Sequence, residues 1–338
     1  MATDVLRNIV FELHRKMSLR VVVVNKSYPT VALELLKKTV KATVVNYLDY
    51  EEESLKEIKQ TVQGCHGLIW NTKHRLTGEI LNLAGPQLKV ISTMSSGTDH
   101  IDLKEVKKRG ISLGNCPQVL DNAVADIALG VMIAAARRFK EAVHELESGE
   151  WKYGVQWKLG QDIAGSTVGI VGLGGVGQAI VRRLKGFDVA NFLYSGRSDK
   201  PEAKTLGVQR VPLEQLLKES DYVILACPLT DETKHLINET TLKMMKNTAV
   251  LVNIARGGVV DQDALYDALK ENRIFAAGLD VVTPEPLPKD HKLVSLPNCY
   301  ILPHMGSATV DTRNNMATIA AKNILLGLEG KTVLYPVY

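Results

Sequence analysis

Three glycines at the end of an apolar run constrain this chain more than any other feature. Thr167 to Val171 reads as a strand buried on both faces, Gly172-Leu-Gly174-Gly-Val-Gly177 follows at once, and Gln178 to Leu184 continues with helical spacing. Each glycine has a separate task in such a strand, turn and helix. Gly172 permits the tight turn, Gly174 lets a pyrophosphate come close to the backbone, and Gly177 lets helix and strand pack together. The helix N-terminus then offers free N–H groups and a positive dipole end to the phosphates. Glycine triplets are common in turns; the flanking strand and helix make this one a prediction of dinucleotide binding.

The next predicted strand, Asn191 to Ser195, ends about 20 positions on, where an acidic side chain would accept from the ribose 2′-OH of NAD. Ser195-Gly196-Arg197-Ser198 stands there instead, with Lys200 close behind. A hydroxyl and a guanidinium suit a 2′-phosphate, which they hold by charge-assisted hydrogen bonds. The reading favours NADP(H), with NAD(H) possible, over the plainer alternative that Arg197 is a solvated loop charge.

Short apolar runs alternate with amphipathic segments along the rest of the chain. Residues 20–24, 42–45, 67–70, 89–93 and 111–113 are the expected strands of a first unit, and residues 168–171, 191–195, 222–226, 249–253, 276–279 and 299–302 those of a second. Continuous apolar runs suit parallel strands covered on both faces. The expected fold is α/β with two doubly wound parallel-sheet domains: a Rossmann NAD(P)-binding domain, 122–304, inserted in a discontinuous flavodoxin-like substrate domain, 1–121 and 305–338. A strongly apolar helix from about Ala123 to Arg138 suggests burial between domains or subunits. The last helix, from Thr309 to Leu326, is expected to return to the first unit.

At 338 residues the chain is long enough for two cores, and 45% hydrophobic with 23% charged is ordinary for a globular protein. The net charge of +4 is dispersed, with no basic run carrying interleaved aromatics, so neither nucleic acid nor a membrane surface is an expected partner. No apolar stretch reaches the roughly 20 residues of a bilayer span. Residues before Met17 lack the apolar core of a secretory signal, and Asp4 and Glu12 do not suit a mitochondrial presequence. A dangling extension and a cytoplasmic protein are the expectation. Cys65, Cys116, Cys227 and Cys299 have neither metal-ligand nor redox spacing, and no metal is expected.

Ligands of open parallel sheets collect beyond the carboxyl ends of the strands. Three predicted strand ends carry residues of complementary chemistry: Arg256 after Asn253, Glu285 after Asp280, and His304 after Pro303. Arginine grips a carboxylate bidentately, protonated histidine supplies the proton that a carbonyl needs on accepting hydride, and a carboxylate beside the histidine favours that protonated form. Singly, each has a plain reading as a surface charge, a loop carboxylate or a strand-end histidine. Together they make a usable catalytic set.

At these residues the chain resembles the D-isomer-specific 2-hydroxyacid dehydrogenases, and within them the glyoxylate reductase/hydroxypyruvate reductase branch. The resemblance runs from about Leu19 onward and is carried, in the family's order, by residues 92–102, 168–177, 253–261, 278–288 and 302–309. It implies NADPH-dependent reduction of glyoxylate to glycolate and of hydroxypyruvate to D-glycerate. Arg256 would bind the substrate carboxylate and polarise its keto oxygen, His304 would be the general acid/base, and Glu285 would orient and tune it. Further substrate contacts are implied from the Ser96–Gly97 backbone of the other domain and from Trp157 of a partner subunit. A homodimer is expected, with the apolar segment from Ala125 to Ala136 as a face for the twin.

By the same resemblance Asp280 would anchor the nicotinamide amide, while Cys227, Pro228 and Thr233 would line the adenosine and phosphate side. The remaining implied cofactor contacts are Gly175, Val176, Ile254, His304 and Gly306, beside the glycines of the motif and Ser195, Arg197 and Ser198. Two departures stand out: Gly175 occupies the place of an arginine found in many relatives, and Asp126 that of a glutamate. A dinucleotide-sensing corepressor or scaffold is the alternative from another functional class, and phosphoglycerate dehydrogenase the alternative enzyme. Formate dehydrogenase fits poorly, since that branch has a glutamine where Glu285 stands.

Overall fold

The computed structural model describes residues 18–45, 53–72 and 74–338. The extension before Met17 lies outside the described residues. Arg20–Val24 (β1), Lys41–Val44 (β2), Gly67–Trp70 (β3), Val90–Ser92 (β4) and Ser112–Gly114 (β5) form one sheet in the order β2-β1-β3-β4-β5. Thr167–Val171 (β6), Asn191–Ser195 (β7), Val208–Arg210 (β8), Tyr222–Leu225 (β9), Val250–Asn253 (β10), Ala276–Leu279 (β11) and Cys299–Ile301 (β12) form the other, in the order β12-β11-β10-β9-β6-β7-β8. Every pairing is parallel. These are the flavodoxin-like and the dinucleotide-binding strand orders. The apolar runs explain them: Val21 to Val24 and Val250 to Val252 are fully buried, which requires helices on both faces of each sheet.

One strand is not foreseen from sequence. β8 has a single buried residue, Val208, followed by exposed Gln209 and Arg210, and it pairs only with β7 at the sheet edge. Three residues with one apolar member leave no periodicity to detect.

The chain divides into two compact units, one running to Leu120 and resuming at Thr309, the other spanning Asp121–Ala308. In the first, the helix Val310–Leu328 packs on β3, β4 and β5 and is N-capped by Thr309, whose hydroxyl accepts from Thr312 N. Fully buried Asn323 fastens it, donating to Ser92 Oγ and Asn115 O, each at 3.2 Å, and accepting from Leu334 N at 2.9 Å.

In the second unit, the helix Asp121–Ala136 packs on β10, β11, β12 and the helix Gly175–Leu184. Its apolar composition suggests a face held for a twin subunit or for the domain boundary. Ala125, Ala128, Val131 and Met132 on its inner side are fully buried, while Ile127, Leu129 and Ile133 are half-buried and Gly130 is exposed. Gly278 on β11 permits the approach, since a Cβ there would fall 2.5 Å from Val131 O. The exposed apolar side chains come later, among them Phe139, Val143, Leu146, Trp151 and Val155.

Among the described residues no helix is long and apolar enough to cross a membrane. The four cysteines are buried free thiols. Burial pushes Cys65, Cys116 and Cys299 up to about 12 and Cys227 up to about 11, far from nucleophilic at neutral pH.

Candidate active site

The glycine turn after β6 is built by close approach. Gly172 has φ +99°, and a Cβ on it would fall 2.8 Å from Ala226 O beyond β9; one on Gly177 would fall 2.3 Å from Gly172 O. Gly174 differs, with nothing within 4 Å of its Cβ position. It is the N-cap of the ten-residue helix Gly175–Leu184 and makes no side-chain cap bond. The first-turn N–H groups of Gly175, Val176 and Gly177 thus sit at a helix terminus next to open space, which fits a pyrophosphate.

The departure at Gly175 has a local counterpart. A Cβ there would fall 1.9 Å from Asp121 Oδ2, so a side chain at 175 would require the Asp121 carboxylate to turn aside. The departure at Asp126 has a different use: its Oδ1 accepts from Arg183 Nε at 2.5 Å, joining the two helices.

Next to this turn, the segment after β7 is tied down from several sides. Gly172 N donates to Ser195 O at 2.8 Å, and Lys200 N donates to Tyr194 Oη at 3.1 Å. Arg197 and Ser198 are exposed on it. Beyond β9, Thr233 Oγ1 donates to Pro228 O at 2.6 Å and accepts from Thr230 N at 2.8 Å, closing the turn that follows buried Cys227.

The predicted catalytic residues meet at the ends of β10, β11 and β12. His304 Nδ1 donates to Glu285 Oε2 at 2.8 Å, and Glu285 Oε1 accepts from Val282 N at 3.1 Å. Burial pushes the Glu285 carboxyl up, but the hydrogen bond and charge of His304, the Val282 N–H and the Arg256 charge together hold it below the usual carboxylate range. The Arg256 guanidinium is half-buried, and its Nη1 donates to Ala255 O at 2.8 Å. Gly257 brings this loop against the next: a Cβ on it would fall 2.1 Å from Val282 O.

His304 has φ +55°, a left-handed conformation that side chains other than glycine adopt at an energetic cost. Asp280, only 2% exposed, holds the chain in it. Its carbonyl accepts from His304 N at 2.8 Å, and its carboxylate accepts from Met305 N at 2.7 Å and Gly306 N at 2.8 Å. Burial raises the Asp280 pKa, with the two backbone N–H groups and His304 opposing and Glu285 adding to the rise. The structure thus shows Asp280 fixing the turn that carries His304. Asp280, expected to meet the nicotinamide, and Ile254 and Gly306, expected to meet the cofactor, stand beyond the ends of β11, β10 and β12.

The family model for the D-isomer specific 2-hydroxyacid dehydrogenase NAD binding domain matches residues 129–306. The glyoxylate reductase/hydroxypyruvate reductase of Mus musculus is 48% identical over 280 residues, covering 82% of this chain and 85% of the mouse protein. That of Homo sapiens is 44% identical over 319 residues, covering 94% and 97%. This chain belongs to the D-isomer-specific 2-hydroxyacid dehydrogenase family. The NADPH-dependent glyoxylate/hydroxypyruvate reductase of Sinorhizobium meliloti, in a crystal structure with NADP and malonate, superposes on the dehydrogenase with a TM-score of 0.79 at 30% identity, covering 94% of this chain and 96% of that one. The dehydrogenase is accordingly an oxidoreductase with a nicotinamide dinucleotide cofactor.

Two expected substrate contacts lie elsewhere in the chain. Ser96 and Gly97 belong to the other unit, in a turn beyond β4 where Ser96 O accepts from Asn115 Nδ2 at 2.7 Å and Gly97 O from Ser95 Oγ at 2.6 Å. Trp157 is half-buried, and its indole N–H donates to Glu145 Oε2 at 2.9 Å. One residue of the dehydrogenase site escapes sequence reasoning altogether. Asn253, 1% exposed, accepts from Ala255 N at 3.0 Å and donates to Arg256 O at 2.9 Å, shaping the loop that presents Arg256. The available signal is an amide that closes the apolar run of β10, where a buried polar group needs partners.

Proposed function

We propose that the dehydrogenase reduces small 2-oxo acids, glyoxylate to glycolate and hydroxypyruvate to D-glycerate, with NADPH as preferred donor. The observation that carries this reading is the 2.8 Å contact between His304 and Glu285, made where the Arg256 charge acts on the same carboxylate. When bound, the dinucleotide supplies the hydride that the keto carbon accepts. Arg256 binds the substrate carboxylate and polarises the keto oxygen. With Nδ1 engaged by Glu285, His304 presents Nε2 to the substrate and donates the proton that the oxygen takes up. Ionised Glu285 fixes the ring and stabilises its protonated form. The Ser96–Gly97 backbone and Trp157 are assigned further contacts to the substrate.

The names of the mouse and human relatives support the substrates, and the Sinorhizobium complex supports a 2′-phosphorylated cofactor. Exposed Ser198 and Arg197 and the absence of an acidic residue at Ser195 support it independently. A homodimer is supported by the exposed apolar side chains between Phe139 and Val155.

The decisive assay is loss of NADPH absorbance, in parallel with NADH, on adding hydroxypyruvate, glyoxylate, pyruvate or phosphohydroxypyruvate to purified protein. Fast oxidation of NADPH with the first two is expected. An NADH preference overturns the cofactor reading alone, and turnover only with phosphohydroxypyruvate overturns the substrate reading.

A further inference from the structure

The edge strand β8 places an arginine under the segment that carries Arg197. In the β7–β8 register Arg210 stands opposite Tyr194, one residue before Ser195. Its guanidinium forks: Nη2 donates to Gly196 O at 2.8 Å and Nη1 to Asp199 Oδ1 at 2.9 Å. With the Ser195 carbonyl bonded to Gly172 N and Lys200 N bonded to Tyr194 Oη, the anchors stand at Ser195, Gly196, Asp199 and Lys200, on either side of Arg197 and Ser198. The Arg210 and Asp199 side chains are 39% and 86% exposed, and an ion pair so open to solvent adds little to stability.

Its consequence is electrostatic and local. Asp199 lies two residues beyond Arg197. Uncompensated, its carboxylate would repel a phosphate dianion and give the Arg197 guanidinium a competing partner. Glu232 is a second carboxylate in the neighbourhood, held below the usual range first by the Thr230 hydroxyl, with the Arg197 charge contributing. Arg210 is the cation paired with Asp199.

We propose that Arg210 is a positioning residue for the 2′-phosphate of NADPH: it fixes the Gly196–Asp199 turn and neutralises Asp199, which leaves Arg197 and the Ser195 and Ser198 hydroxyls to the ligand. The proposal rests on the NADP reading and extends it to a side chain that need not touch the cofactor. It makes cofactor discrimination a property of two arginines, one reading the phosphate and one disposing of the acid that would compete for it.

Fluorescence titration of NADPH and NADH, with competition by 2′,5′-ADP and 5′-AMP, tests this without turnover. Arg210→Met is expected to weaken NADPH and 2′,5′-ADP about tenfold while NADH and 5′-AMP stay within about twofold. Adding Asp199→Asn to that variant is expected to recover about threefold or more of the NADPH loss, and Arg210→Lys, with charge but no fork, to fall between wild type and Arg210→Met. Equal weakening of NADPH and NADH, or an undiminished preference in Arg210→Met, overturns the role of Arg210 alone. A wild-type protein that binds 2′,5′-ADP no better than 5′-AMP overturns the NADP reading, and this proposal with it.

Discussion

The corner around His304 and the turn around Arg197 are both built at strand ends of one sheet, yet they are held by opposite means. The first is fixed from inside: buried Asp280 accepts from two backbone N–H groups, buried Asn253 braces the Arg256 loop, and Gly257 lies against Val282. The second is fixed largely from outside, by the solvent-accessible Arg210–Asp199 pair, with Tyr194 as its buried anchor. Groups that move a proton need sub-ångström placement, which buried and fully bonded neighbours supply. A turn that discriminates two cofactors needs charge in the right place, and surface residues suffice. Substitutions should therefore separate into two classes, those in the first region that damage the chemistry, with the fold as well where a buried brace such as Asn253 is lost, and those in the second that retune cofactor preference with the fold untouched.

The largest expected effect is at His304. Replacing it with alanine is expected to lower kcat by about 10² to 10⁴ while the melting temperature holds, in steady-state assays paired with thermal unfolding. Retained turnover would remove the proton donor from the mechanism. Asn253→Ala comes next, with an expected loss of about 1–3 kcal/mol in denaturant unfolding because two buried hydrogen bonds go, accompanied by a lower kcat/KM. A silent Asn253→Ala would break the contrast between the two regions. Arg197→Ala is expected to raise the NADPH Kd about tenfold, with NADH affinity and unfolding unchanged.

The smallest expected effect is on pH dependence. The Glu285 carboxyl is held below its ordinary value in the folded protein, so its contribution to stability is complete above that ordinary value, about 4.5, and is lost as pH falls through the depressed folded value. Unfolding free energy measured from pH 6 downward is expected to fall less steeply below about pH 4.5 in Glu285→Gln than in wild type. The same substitution removes the carboxylate bonded to His304 Nδ1 and is expected to lower kcat in the same steady-state assays.

Much of this was legible in the residues themselves. Glycines at fixed spacing, apolar runs long enough for buried strands, and an arginine, a glutamate and a histidine just past three such runs each carry a local signal. β8 carries none, because one valine and two exposed polar residues look like loop until β7 lies beside them. Arg210 was hidden with it. The apolar helix Asp121–Ala136 announced its burial but not its neighbours, since composition fixes how much surface is covered and not by what. Asp121 against Gly175 is another relation of this kind, made by two helix N-termini far apart in sequence.

That last pair bears on how this site can change. With the Asp121 carboxylate standing where a Cβ at 175 would be, a side chain at 175 requires that carboxylate to swing aside. Any new group in the phosphate-binding turn is thereby coupled to the rotamer of an acid on another helix.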